Sequence, residues 1–251
     1  MQTTAIKTHK VTPQDTDILH ILDTYLPALT ENTIVAVTSK IVSICEGRYV
    51  KIDASDPKQK DALIAKESQF YLPREENKYH VSLTITNNIL APGAGIDESN
   101  ANGYYILWPK DAQKTANTIR EHLAEKNHIT NLGVIITDSK TFPMRWGVTA
   151  ISLAFSGFLP LKNYMNTPDI FGRLFVFEQM SIIDNLACGA TLTMGEGAEQ
   201  TPLAIIQDVP MVTFTGRNPT QEEVDALKID MDTDVYGDFL KSAPWRKGEG
   251  K

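Results

Sequence analysis

Leu132-Gly133-Val134-Ile135-Ile136-Thr137-Asp138-Ser139 is the stretch on which the fold turns. Its first six residues form a continuous uncharged run of strand length, which reads as a buried strand. Asp138 then falls just past the carboxyl end, where α/β proteins tend to bind their ligands. On the N-terminal side, Pro109 opens an amphipathic helix that continues to about Lys126. On the C-terminal side, Val148 to Phe158 reads as another buried strand, ended at Gly157. Met180 to Thr193 reads as a helix running into Met194-Gly195-Glu196-Gly197, and Leu203 to Gln207 as a strand. Further upstream, Ile34 to Val37 is a short buried strand with Ser39-Lys40 at its end. Val81 to Leu90 is a strand closed by Ala91-Pro92-Gly93, and Tyr104 to Trp108 is another. Asp53 to Lys66 reads as a helix followed by a loop. Thr12-Pro13-Gln14-Asp15 reads as a helix start that feeds Ile18, Leu19, Ile21, Leu22, Tyr25 and Leu26 at helical spacing. This order of elements predicts a mixed α/β (α+β) fold, not a simple doubly wound sheet. There is no internal repeat and no low-complexity linker.

Bulk composition narrows the function classes. The chain has 251 residues, 42% hydrophobic and 22% charged, as an ordinary globular protein does. Its net charge is −7 and no Lys/Arg cluster stands out, so a nucleic-acid partner is not expected. A phosphate ligand remains compatible with that acidity, because a bound divalent ion reverses the local field. Cys45 and Cys188 are far apart and sit in apolar surroundings, which predicts buried free thiols and no zinc site. His9, His20, His80, His122 and His128 form no metal pair. Met1 to Lys10 is polar and lacks an apolar signal core, and no apolar run reaches membrane-spanning length. The expected location is the cytoplasm, with no membrane partner.

Three separated segments carry the chemistry. In Gly93-Ala94-Gly95-Ile96-Asp97-Glu98-Ser99-Asn100, the glycines open backbone conformations closed to other residues, and Asp97 and Asn100 can point at one ligand. The same pattern also fits an Asx turn capping local backbone. Asp138-Ser139 suits metal–phosphate chemistry, or an N-cap for whatever follows. Glu196 lies between two glycines; this is either a phosphate-approaching loop with an acid, or a glycine-rich helix terminus. It is not a Walker A loop, since the Lys-Ser/Thr ending is missing. Hard carboxylate oxygens suit magnesium or manganese, and such sites use few protein carboxylates completed by substrate phosphates. Arg145 can fork onto a carboxylate or phosphate, or make a surface ion pair; Lys40 and Arg48 can neutralise phosphate or sit on a solvated loop. No Gly-x-Ser-x-Gly elbow is present, so a serine hydrolase has no support.

As a set and in this order, the segments resemble the coenzyme F420-0:L-glutamate ligase (γ-glutamyl ligase) family. The resemblance runs from Ile34 to Val209. It includes Ser39-Lys40, Glu46-Gly47-Arg48, Gly95-Ile96-Asp97, Asp138-Ser139, Arg145-Trp146-Gly147, Asp169-Ile170-Phe171-Gly172-Arg173, Asp184 and Met194-Gly195-Glu196-Gly197. It implies a γ-glutamyl ligase-like fold assembled as an intertwined homodimer. Residues 1–215 would form the catalytic domain, with 216–251 a polar extension packed on it and frayed at the end. The family uses GTP, with ATP the other candidate nucleotide, two Mn2+ or Mg2+ ions, and K+ as a further candidate. Carried over, Asp97 and Asp138 are ligands of one ion, and Ser139 and Glu196 of the other. Ser39, Lys40, Asn100 and the segment Met194, Gly195, Glu196, Gly197, Ala198, Glu199, Gln200 and Thr201 are nucleotide contacts. Asp138 and Arg145 are the implied catalytic pair, and Arg145 and Arg173 are candidates for an anionic substrate. The partners are L-glutamate and a carboxylate acceptor, coenzyme F420-0 or a relative.

Two departures concern the acceptor. Ile44 stands where some members have lysine, a charge that Lys40 can supply. Thr141-Phe142 stands where many have Gly-Arg, a variant that resembles a bacterial branch associated with folate. A folate poly-γ-glutamate ligase is therefore the alternative within the class. A metal-dependent phosphohydrolase and a non-catalytic nucleotide-binding protein are the alternatives outside it.

Overall fold

The apolar runs that open the sequence argument lie side by side at the centre of one sheet. The structure is a computed structural model that describes residues 1–76 and 78–250. In chain order the elements begin with β1 (Gln2–Ile6), α1 (Ile18–Tyr25), β2 (Thr33–Thr38), α2 (Ser39–Cys45), β3 (Tyr49–Lys51), α3 (Gln59–Glu67) and β4 (Phe70–Leu72). They continue with β5 (Leu83–Thr86), β6 (Ile89–Pro92), β7 (Tyr104–Ile106), α4 (Ala112–Asn127), β8 (Leu132–Thr141), β9 (Val148–Ser156), β10 (Leu161–Asn163) and β11 (Gln179–Ser181). The last are α5 (Ile182–Met194), β12 (Leu203–Gln207), α6 (Gln221–Asp225), α7 (Gly237–Ser242) and β13 (Arg246–Lys247).

The main sheet has the order β1-β12-β2-β8-β9, with β2 and β8 parallel and the other pairs antiparallel. Both of its faces are covered, which is why its central strands read as unbroken apolar runs instead of alternating ones. Val35, Val37, Val134 and Ile136 pack against α1, α2 and α4 on one side. Ile34, Ala36 and Ile135 pack against α5 on the other. Each fully buried side chain of this size contributes about 1.5–3 kcal/mol. Gly133 is required beneath this layer: a Cβ there would meet Ile34 and Phe158 at 2.8 Å. A smaller lobe holds the sheet β13-β4-β5-β6, the pair β3-β7 and helix α3, around Ile64, Ala94, Ile96 and Leu107.

The mixed α/β class expected from sequence is the class observed, with several local corrections. Thr12-Pro13-Gln14-Asp15 is a turn, in which Asp15 accepts from the Thr12 N–H at 2.8 Å and pairs with His9. The first helix starts later, capped by Asp17, whose side chain accepts from the Leu19 N–H. In Asp53 to Lys66 the loop comes before the helix. Val81 to Leu90 is a hairpin rather than one strand: Asn87 (φ 50°) and Asn88 (φ 62°) form its two-residue turn, a geometry that asparagine tolerates. Pro109 lies ahead of α4, which is capped by Asp111. Strand β8 continues through Asp138 to Thr141, past a bulge at Ile136/Thr137. Asp138 is thus inside the strand and caps no helix. The C-terminal end is tied to the smaller lobe within the described residues. Arg246 and Lys247 pair with β4, and the Gly248 and Gly250 N–H groups donate to Gln69 and Ser68 carbonyls at 2.9 Å.

Candidate functional site

Parallel pairing of β2 with β8 brings two of the sequence motifs together. Thr38 is in register with Thr137, so Ser39-Lys40 and Asp138-Ser139 lie side by side where β2 stops and β8 runs on along β9. The third motif arrives from α5. Gly195 ends that helix with φ 80°, and the chain then returns to β12, where the Pro202 carbonyl accepts from the Thr38 N–H at 2.9 Å. The fourth contributor, Asp97, is held by a two-hydrogen-bond bridge to Ile106. These segments line one cleft of about 1000 Å³. It includes Ser39, Lys40, Asp97, Asn100, Asp138, Ser139 and every residue from Met194 to Thr201.

Direct bonds tie the motifs to one another. Lys40 Nζ pairs with Asp97 Oδ2 at 2.6 Å and donates to the Ser99 carbonyl at 2.9 Å. Asn100 Nδ2 donates to the Gly197 carbonyl at 2.8 Å. Ser139 stands beside Glu196 and favours its charged form. Gln200 Nε2 donates to the Thr8 carbonyl at 2.6 Å, which draws residues 8–12 into the cleft wall.

The local readings of each motif are also partly realised. Asp97 accepts from the Ser99 N–H at 2.8 Å and hydroxyl at 2.9 Å, an Asx turn. The Met194–Gly197 stretch is a glycine-capped helix terminus. The Asx turn still leaves Asp97 Oδ1 with one hydrogen-bond partner and a second lone pair for a ligand.

The acids differ in their electrostatics. Burial pushes the Asp138 carboxyl up to about 6, and the negative charge of Asp97 adds to that. Donation from Trp108 and the Ser139 N–H opposes it. Burial, with Asp97 and Glu199, also raises Glu196 against the pull of Ser139 and Lys40. For Asp97, burial is outweighed by Lys40 and Ser99, which hold it below the usual carboxylate range. Asp97 thus raises both Asp138 and Glu196, and Lys40 partly offsets the gathered negative charge.

Among the described residues, no three His, Cys, Asp or Glu side chains are grouped closely enough to cage a metal. The donor set Asp97, Asp138, Ser139 and Glu196 is all hard oxygen. It fits an Mn2+ or Mg2+ site of few protein ligands completed by substrate oxygens.

Arg145 and Arg173 are not brought to this cleft. Both lie on exposed loops, and neither makes an ion pair among the described residues. Arg48 does not point at the cleft for a phosphate either: its guanidinium pairs with Glu67 at 2.5 Å and donates to the Trp108 carbonyl at 3.0 Å. Ile44 is buried in the cleft wall, and Lys40 is the cation paired with Asp97 there. Asp184 serves the fold, accepting from Ser152 and Ser181 at the start of α5. Cys45 and Cys188 are free thiols, half-buried, and burial pushes Cys45 up to about 12. Sequence reasoning missed Trp108, whose indole N–H donates to Asp138 Oδ2 from 30 residues away. Only the following Pro109 gave it any prominence. No helix among the described residues is long and apolar enough to cross a membrane.

A family model described as F420-0:Gamma-glutamyl ligase matches residues 5–208. A protein of Methanocaldococcus jannaschii named coenzyme F420:L-glutamate ligase is 30% identical over 217 residues, covering 84% of this chain and 85% of that protein. Proteins of the same name from Methanococcus maripaludis and Methanopyrus kandleri are 30% and 29% identical over 201 and 192 residues. They cover 73% and 71% of this chain, and 78% and 76% of their own lengths.

Proposed function

The chain belongs to the F420-0:γ-glutamyl ligase family, and from that premise we propose that it joins L-glutamate by an amide bond to a carboxylate acceptor of the coenzyme F420-0 type, driven by GTP. The observation that carries this reading is the meeting of Asp97, Asp138–Ser139 and Met194–Thr201 in one cleft where β2 stops beside β8.

A carboxylate is a poor electrophile and must be activated. In the proposed route an acceptor carboxylate oxygen attacks the terminal phosphorus of the nucleotide, giving an acyl phosphate and releasing nucleoside diphosphate. The amine of L-glutamate then attacks the acyl carbon, expels phosphate and loses a proton, leaving the amide. Protein work in such transfers is mainly positioning and charge neutralisation. Two divalent ions, one held by Asp97 and Asp138 and the other by Ser139 and Glu196, would offset the phosphate charge when bound. Lys40 supplies an ammonium beside them. Asn100 and the turn from Gly195 to Thr201 offer donors for the nucleotide.

The reading extends to a homodimer. Met144, Trp146, Ile170, Phe171 and Phe177 project from two loops and are at least 87% exposed. An apolar surface of that kind marks an interaction site. Pairing through these loops would also place Arg145 and Arg173 at an interface, where they can serve an anionic substrate.

Asp138→Asn tests the assignment. The variant is expected to fold and to lose most amide-forming turnover. Near-normal turnover with the usual ion requirement would remove Asp138 from the mechanism.

A further inference from the structure

The indole of Trp108 occupies a place that the proposed chemistry does not use. It is 5% exposed, yet it lines the floor of the cleft and donates through Nε1 to Asp138 Oδ2. The other oxygen, Oδ1, accepts from the Ser139 N–H at 2.8 Å. Between them the two donors fix the plane of the carboxylate.

The donor is itself held from three directions. Its ring lies against Gly95, where φ is +70° and a Cβ would overlap the indole. Its carbonyl accepts from Arg48 Nε at 3.0 Å, and the preceding Leu107 N–H donates to the Arg48 carbonyl at 3.0 Å. Arg48 is in turn anchored to Glu67. A chain of contacts thus runs from Glu67 and Arg48 through a rigid indole to the acid at the cleft floor. Gly95, two residues before Asp97, is the gap that admits the ring.

We propose that Trp108 is a positioning residue: its N–H sets the orientation in which Asp138 presents its carboxylate to a divalent ion in the cleft. The proposal rests on the reading of Asp138 as an ion ligand. Partners that orient a ligand carboxylate typically change metal affinity by about 10–100-fold. An indole buried only for packing would change stability and leave affinity alone.

Mn2+ alone is titrated into the full-length protein, with free Mn2+ read by electron paramagnetic resonance, for wild type, Trp108→Phe and Asp138→Asn. Thermal melts are run in parallel. Trp108→Phe keeps an aromatic ring and removes the donor; its Mn2+ Kd is expected to rise about tenfold or more. Asp138→Asn is expected to bind more weakly still. Unchanged affinity in Trp108→Phe beside a loss in Asp138→Asn overturns the proposal and leaves the ion site standing. Wild-type affinity in Asp138→Asn overturns the ion site, and the proposal with it. Should Trp108→Phe not fold, benzothienylalanine at position 108 keeps the ring shape without the N–H, and the same two outcomes decide.

Discussion

Asp138→Asn, studied without divalent ions, should stabilise the protein in a way that depends on pH. Burial pushes the Asp138 carboxyl from 3.8 to about 6 in the folded chain. In the unfolded chain the proton leaves near pH 4; in the folded chain it stays until about pH 6. Through that window the folded state holds more protons, so stability falls as pH rises, and it is level again above it. Each pKa unit corresponds to about 1.36 kcal/mol, so the full penalty above the window is about 3 kcal/mol. Asparagine cannot ionise and avoids this penalty. It offers only one acceptor oxygen, however, where both Trp108 and the Ser139 N–H donate, and losing one of these bonds costs about 1 kcal/mol or more. The net gain at pH 8 is then about 1–2 kcal/mol, a rise of roughly 2–8 °C in Tm for a chain of this size. Near pH 4 the gain should vanish or reverse. Urea denaturation of both proteins in EDTA at pH 4.5 and pH 8 measures the difference directly. A difference that is the same at both pH values, or larger at the lower one, would refute the reasoning that burial dominates this acid.

Other outcomes follow from the same contacts. Ile136→Ala empties a fully buried position between β8 and the helices on its face, and denaturant unfolding should show a loss of about 2–5 kcal/mol. Trp146→Asp with Phe171→Asp should convert a dimer to a monomer in sedimentation velocity; a wild-type chain that is monomeric at all concentrations would remove the premise. Glu196→Gln should fold normally and lower amide-forming turnover by at least tenfold, as expected for loss of a group near the reacting phosphates. Unchanged kinetics in that variant would place Glu196 outside the site.

The centre of the fold was legible because its physics is local. Leu132 to Thr137, Ile34 to Val37 and Leu203 to Gln207 are buried on both faces, and such strands write themselves as apolar runs. Asp138 stood out because it interrupts one of them. The edges were less legible. Strand β1, Gln2–Ile6, is short and half-exposed and reads as a polar tail; only pairing with β12 makes it a strand. The segment at Thr12 carries helix-start residues, but Asp15 turns its carboxylate back onto Thr12 and His9 instead of capping a helix. The C-terminal residues carry no apolar signal because they are held by backbone bonds to Gln69, Ala65 and Ser68, which composition does not encode.

The site was legible as motifs and not as geometry. Sequence order brought forward Asp97, Asp138 and Glu196, but not what gathers them: parallel pairing sets Lys40 beside Asp138, and Lys40 in turn pairs with Asp97. Arg48 reads as a phosphate-neutralising residue by its charge; its ion pair with Glu67 depends on α3, which lies at the other end of its segment from the one the sequence suggests. Trp108 was hidden for a similar reason, since its reach to Asp138 depends on a gap that Gly95 leaves in another segment.

The most direct test of the account is a mass-spectrometric ligase assay. Purified protein is incubated with Mn2+ or Mg2+, GTP or ATP, labelled L-glutamate, and either coenzyme F420-0 or a folate monoglutamate. The account predicts label joined to F420-0 through an amide, with nucleotide consumed only when acceptor and glutamate are both present. Label on folate alone would keep the ligase chemistry and correct the acceptor. Rapid nucleotide hydrolysis indifferent to glutamate, with no label on either acceptor, would contradict the central claim.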